Sequence, residues 1–383
     1  MVLSLLLVGC GLLDPQGHAV AGAEPGKTPI VHTQTVVSQP YHIDKLYASM
    51  RGPYGFDDVR LLEGDSVELL WIVGYRTTVI EGAGPGELSQ EFMCHANLDF
   101  EASDYYDRFP GAPPISGRVF TLSQGQQEIR FPEGFGIPVT SDLPITLATQ
   151  VLNLTLPEAR LDVRHKVDVL FVRDSEVEGE MVPLFQGAVE GFKALGEARF
   201  YGFSDDELDH DELGPGCSLG QAAVAGDADE DRLGQKFTAH WVVPPGREVN
   251  RTNVTRFLNL QFDTTAHYIA VHLHPFAERL TLNDLTTGEV VYDARVTPTS
   301  DRVGIERIDH YSDSRGLPLY KDHQYELVSV YNNTSDKDVD SMAVMYLYMR
   351  DLKFKRPDLR ALQSASGEPE ASKAPKASRE PSM

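Results

Sequence analysis

The feature that most restricts the fold is the cutting of this chain into short β-branched and aromatic runs separated by Gly, Pro and Asp turns. Residues 66–73, 118–122, 145–154 and 167–172 are such runs in the first half. The pattern resumes at 241–243 and continues through 253–262, 267–276, 289–295, 324–331 and 342–349. Runs this short suit strands, and many short strands with turn signals between them suit a sandwich or jelly roll. With 383 residues the chain can bury two cores. The expected fold is all-β: two tandem jelly-roll-like β-sandwich domains, at residues 41–180 and 237–352.

The flanking segments read differently. Residues 1–9 are short and apolar and end on Leu7-Val8-Gly9-Cys10, which resembles the lipobox of bacterial lipoproteins. That resemblance implies a signal cut before Cys10, lipid on its thiol, and a protein anchored in the bacterial cell envelope that faces the periplasm or exterior. Residues 10–40 are expected to be a flexible tether, and 353–383 a disordered tail with too little apolar surface to fold. Residues 181–236 are expected to form a connection. Val182, Phe185, Val189 and Phe192 recur at helical spacing there, ahead of an acidic, Gly-rich loop at 204–235. Cys94 and Cys217 are the remaining cysteines, a pair that an oxidising compartment could join or leave free. A net charge of −23 argues against nucleic acid as a partner, because phosphate contacts need a basic surface.

Chemistry concentrates on two runs. On a strand through 266–276, side chains two apart share a face, so His272 and His274 can converge on one metal ion while His267 falls on the other face. In 342–349, alternation places Met342, Val344, Tyr346 and Tyr348 together, opposite Met345 and Met349. One thioether and two imidazoles make a soft site suited to copper, Cu(I) above all, and poor for magnesium or calcium.

The order of these motifs resembles the copper type II ascorbate-dependent monooxygenases, the family of peptidylglycine α-hydroxylating monooxygenase. Trp241 to Gly246, the His-x-His strand, Tyr325 to Asn333 and Asp340 to Tyr346 carry the likeness in the second half. Leu46 to Arg51 and Glu91 to Leu98 carry it in the first. It implies two β-sandwiches with one copper on each, the second held by His272, His274 and Met342, with Tyr346 near the substrate pocket. In the first half His95 matches the second histidine of the family's adjacent pair and Cys94 replaces the first. Leu152 stands near the place of the third histidine, so that site is damaged. Ala270 replaces the family's arginine for a peptide carboxylate, and Val344 replaces an amide, which points to a smaller or less charged substrate.

The sequence holds no G-x-S-x-G elbow, phosphate loop or H-E-x-x-H. His240, His310 and His323 read as surface or supporting residues. The resemblance therefore implies hydroxylation of a small organic molecule with O2 and a reductant such as ascorbate. The alternative is a copper-handling lipoprotein with a single site and no turnover. A third reading is a structural or carbohydrate-contacting sandwich.

Overall fold

The computed structural model describes residues 29–64, 66–194, 229–230 and 236–366. Cys10 with its lipobox, Cys217 and the acidic loop apart from residues 229–230 lie outside these residues.

One large sheet runs through the whole molecule. Among the described residues it has eleven strands, and its main path is His32–Val37, Leu161–Arg173, Leu69–Glu81, Phe135–Thr140, Val182–Glu190, Val339–Arg350, Thr264–Leu273 and Tyr311–Leu319. A four-stranded sheet, ordered Tyr54–Val59, Ile145–Val151, Met93–Asp99 and Arg118–Leu122, completes the first sandwich. A five-stranded sheet, in which Tyr325–Asn333 is flanked by Gly246–Asn253 and Ala277–Asp284, completes the second. The result is the expected pair of jelly-roll-like β-sandwiches.

The Val339–Arg350 strand serves both cores, and its alternation explains how. Met342, Val344, Tyr346 and Tyr348 enter the core that contains Trp71, Leu98 and Phe120. Ala343, Met345, Leu347 and Met349 enter the core that contains Leu280, Leu282 and Leu327. All eight are fully buried. A strand apolar on both faces has no solvent side, so its alternation sorts residues between two cores instead of between core and water.

Four expectations are corrected. Val182–Glu190 is a strand between Phe135–Thr140 and Val339–Arg350, not a helix. It too is largely buried on both faces, and its helical spacing arises from that. A Cβ at Gly187 would lie 2.6 Å from Met349 Cε, so a larger residue there would displace the end of the Met349 side chain. Within the expected tether, His32–Val37 is an edge strand antiparallel to Leu161–Arg173, with His32 stacked on Phe171. Within the expected disordered tail, Leu359–Ser366 is a helix and Phe354 packs against Trp71 and Phe109. A few aromatic and aliphatic contacts suffice to dock these short segments on a surface that is already formed. In the second half, residues 253–262 divide differently from the expected strand: Gly246–Asn253 is the strand and Thr255–Leu258 a short helix.

The halves are clasped where the first half's turn after Arg118–Leu122 meets the strand Ile305–Ile308. Ile308 N donates to Gly125 O at 2.9 Å, and Gln90 Oε1 accepts from Gly125 N at 2.8 Å. Gly125 has φ +78°, and a Cβ there would lie 2.4 Å from Ile305 Cγ2, so glycine is required twice over. Arg302 and Glu91 add an ion pair at 3.0 Å across the same seam.

Candidate metal centre between the two halves

The histidine strand, Thr264–Leu273, lies beside the methionine strand, Val339–Arg350, with His272 opposite Val344 and Leu273 opposite Ala343. His274 follows at the end of this ladder, beside Met342. Directly opposed residues share a face, so His272, His274 and Met342 all project towards the first half. The ring centres of His272 and His274 are 5.3 Å apart. Tyr331 fixes the end of the ladder: its hydroxyl donates to the Met342 carbonyl and accepts from His274 N–H at 3.2 Å.

Each imidazole is oriented by a group that sequence spacing does not reveal. His272 Nδ1 shares a 3.0 Å hydrogen bond with Ser123 Oγ from the first half. His272 Nε2 is buried and has no hydrogen-bond partner among the described residues. Such an orphan costs about 1–3 kcal/mol unless something fills its lone pair. His274 Nδ1 lies 3.1 Å from Asp340 Oδ2, and its Nε2 lies 3.4 Å from Ser49 Oγ. A carboxylate behind an imidazole fixes its ring and raises its basicity.

The electrostatics follow from burial. Burial holds the His272 pKa well below its ordinary value, and the neighbouring His274, His95 and His240 add to this. Burial also pulls His274 down, but the charge and hydrogen bond of Asp340, aided by Cys94, leave it raised. A carboxylate that favours a proton on His274 favours any other cation there. His240, read from the sequence as a surface or supporting residue, is 3% exposed, with its ring centre 5.9 Å from that of His274. Burial pushes its pKa down to about 4, against the opposing pull of Asp340.

A cavity of about 330 Å3 opens onto this face. His272, His274 and Asp340 line it from the second half, and Ser49, Cys94 and Ser123 from the first. Leu152, Leu154, Phe276 and Ile305 make much of its wall apolar. Met342 and Tyr346 are fully buried and do not line it. Tyr346 lies on the same face as Met342, two rungs beyond, opposite Ala270 and Ala188.

Cys94 and His95 belong to the strand Met93–Asp99 and are buried. The ladder to Ile145–Val151 skips Cys94, which is the extra residue of a bulge between Met93 and His95. Cys94 Sγ lies 3.9 Å from Ser49 Oγ. Leu152 is on the cavity wall near the position where the family resemblance places a histidine. His165, from Leu161–Arg173 in the opposing sheet, is the histidine that sequence reasoning missed. It is fully buried, with no hydrogen bond to either ring nitrogen among the described residues. Burial chiefly, with His95 adding and Cys94 opposing, pushes its pKa down to about 3.

The donor set can be tested against a metal. Among the described residues no group of three or more His, Cys, Asp and Glu side chains is placed to hold an ion. Two imidazoles and a thioether are a different set, and the orphaned His272 Nε2 beside His274 fits a soft ion. His310, stacked on Tyr268, and His323, bonded to Asp284 at 2.6 Å, serve local packing.

No protein-family model matches the chain, and no curated protein matches it. Among solved structures, the STIV MCP shares 9% identity over 85% of this chain and 98% of that one, with a TM-score of 0.26. The major capsid protein P2 from bacteriophage PM2 shares 8% over 84% and 100%, at 0.29. PNGase F, a glycosylasparaginase from Flavobacterium meningosepticum, shares 8% over 85% and 98%, at 0.31. Likeness at this level carries no argument about activity.

Proposed function

We propose that this protein is a copper-dependent, monooxygenase-like oxidoreductase that hydroxylates a small, largely apolar organic molecule with O2 and a reductant such as ascorbate. The observation that carries the reading is the buried, unpartnered His272 Nε2 beside His274, on the wall of a cavity shared by both halves. His272, His274 and Met342 would hold the ion. Copper bound there would supply one-electron chemistry with O2.

The chain's own residues do the rest. Ser123 orients His272, and Asp340 orients His274 and offsets positive charge beside it. The apolar wall excludes water and selects an apolar substrate. Ala270 leaves no guanidinium for a carboxylate, in keeping with a substrate that lacks one. A lipid anchor at Cys10, and with it a place in the bacterial cell envelope, belongs to the same proposal. Among the described residues no helix is long and apolar enough to cross a membrane.

Copper-loaded protein with ascorbate should consume O2 in the presence of small apolar candidates, and His272→Ala should lower the consumption. Oxygen uptake that is identical in wild type and His272→Ala would sink the reading. One observation favours the second reading, copper handling at a single site without turnover. In the first half Leu152 takes the cavity wall near the place where the family resemblance puts a third histidine. Tight binding of one Cu(I) with no turnover would decide for it.

A further inference from the structure

The methionine strand has a second neighbour. His240–Val243 pairs with it on the edge away from the histidine strand, with His240 directly opposite Met342 and Trp241 opposite Ser341. Ser341 Oγ donates to Trp241 O at 2.8 Å and holds that register. Met342 therefore stands on one rung between two imidazoles, His240 on one side and His274 on the other. The three side chains share a face.

Distances agree with this placement. Two imidazoles on one ion, each with a metal–nitrogen bond of about 2 Å, have ring centres roughly 5 to 6 Å apart. His272 and His274 are 5.3 Å apart, and His240 and His274 are 5.9 Å apart. His274 is thus flanked by an imidazole on each side at ligand-sharing separation, and all three rings are buried.

We infer that the centre contains two overlapping donor sets, His272–His274–Met342 and His240–His274–Met342, which share His274 and Met342 and exchange one imidazole for another. This rests on the copper reading above. Each set offers two imidazoles and a thioether, the same soft chemistry. Because they share two of three donors, they hold one ion and not two. His240 gives the ion a second seat when His272 is withdrawn.

The test uses the full chain and Cu(I) alone, added anaerobically, with affinity read by competition against a Cu(I) chelator. Wild type is compared with His240→Phe, His272→Phe and the double variant, Phe being chosen to keep ring volume in the core. His240→Gln and His272→Gln repeat the comparison where a Phe variant fails to fold. Each single variant is expected to retain one Cu(I), and because the two association constants that remain together make up that of wild type, at most one of the two variants weakens by more than about twofold. The double variant is expected to retain none at micromolar metal. The inference is overturned if His240→Phe matches wild type while His272→Phe alone retains no Cu(I). A wild type that binds no Cu(I) would overturn the copper reading as well, so the two failures are distinguishable.

Discussion

Replacing His165 by Leu isolates the cost of a buried imidazole. The ring is fully buried, and neither nitrogen has a hydrogen-bond partner among the described residues. Its pKa is depressed to about 3, chiefly by burial, against about 6.5 in an unfolded chain. A depressed pKa means that the unfolded chain takes up a proton that the folded one refuses. The stability linked to His165 is therefore complete above about pH 6.5 and is lost as pH falls towards 3. Over this window the slope is about 1.4 kcal/mol per pH unit, so acidification to pH 4.5 costs on the order of 3 kcal/mol from this residue. His165→Leu removes that slope and also the orphaned nitrogens, which cost about 1–3 kcal/mol before packing differences are counted. Urea unfolding at pH 7.5, 6, 5 and 4.5 measures both effects. The variant should match or exceed wild type at pH 7.5 and lead by about 3 kcal/mol more at pH 4.5. Parallel stability curves for the two proteins would refute the reasoning.

Other perturbations bear on the seam and the site. Tyr331→Phe deletes the hydroxyl shared by His274 N–H and the Met342 carbonyl, leaving two buried backbone groups short of a partner. It should cost about 2–4 kcal/mol in urea unfolding, and a loss under 0.5 kcal/mol would show that the latch is dispensable. Gly125→Ala meets both a positive φ and Ile305, and should cost about 2–4 kcal/mol; a neutral result would mean that the clasp yields. Asp340→Asn removes the charge that raises His274. Stability from a raised pKa is present below about pH 6.5 and lost as pH rises through the folded value. The variant should therefore lose more at pH 6 than at pH 9, and NMR titration should place His274 below its wild-type midpoint. An unmoved midpoint would disprove the pairing.

Much of the fold was legible because local alternation and turn chemistry agree with the tertiary structure. Met342, Val344, Tyr346 and Tyr348 do share a face, and the runs around His272, Tyr325 and Met342 are strands. Period failed where a strand is buried on both sides. Val182–Glu190 has no solvent face to alternate with, so chance spacing resembled a helix. Docked pieces such as His32–Val37 and Leu359–Ser366 carry weak signals of their own and depend on surfaces built elsewhere. In the candidate site, the pair His272 and His274 was visible because its two members lie two residues apart. Ser123, Ser49 and Asp340 were hidden, since each reaches its imidazole from a distant part of the chain. His240 was visible as a residue but not as a neighbour. Its place depends on which strand lies beside Met342, and that register is a property of the folded sheet.

X-ray absorption of the protein loaded with one equivalent of Cu(I) tests the central claim most directly. Wild type should show one copper with nitrogen donors and a single sulfur, and Met342→Leu should lose the sulfur while Cys94→Ser keeps it. No copper retained at micromolar metal, or a sulfur lost in Cys94→Ser and kept in Met342→Leu, would contradict the account.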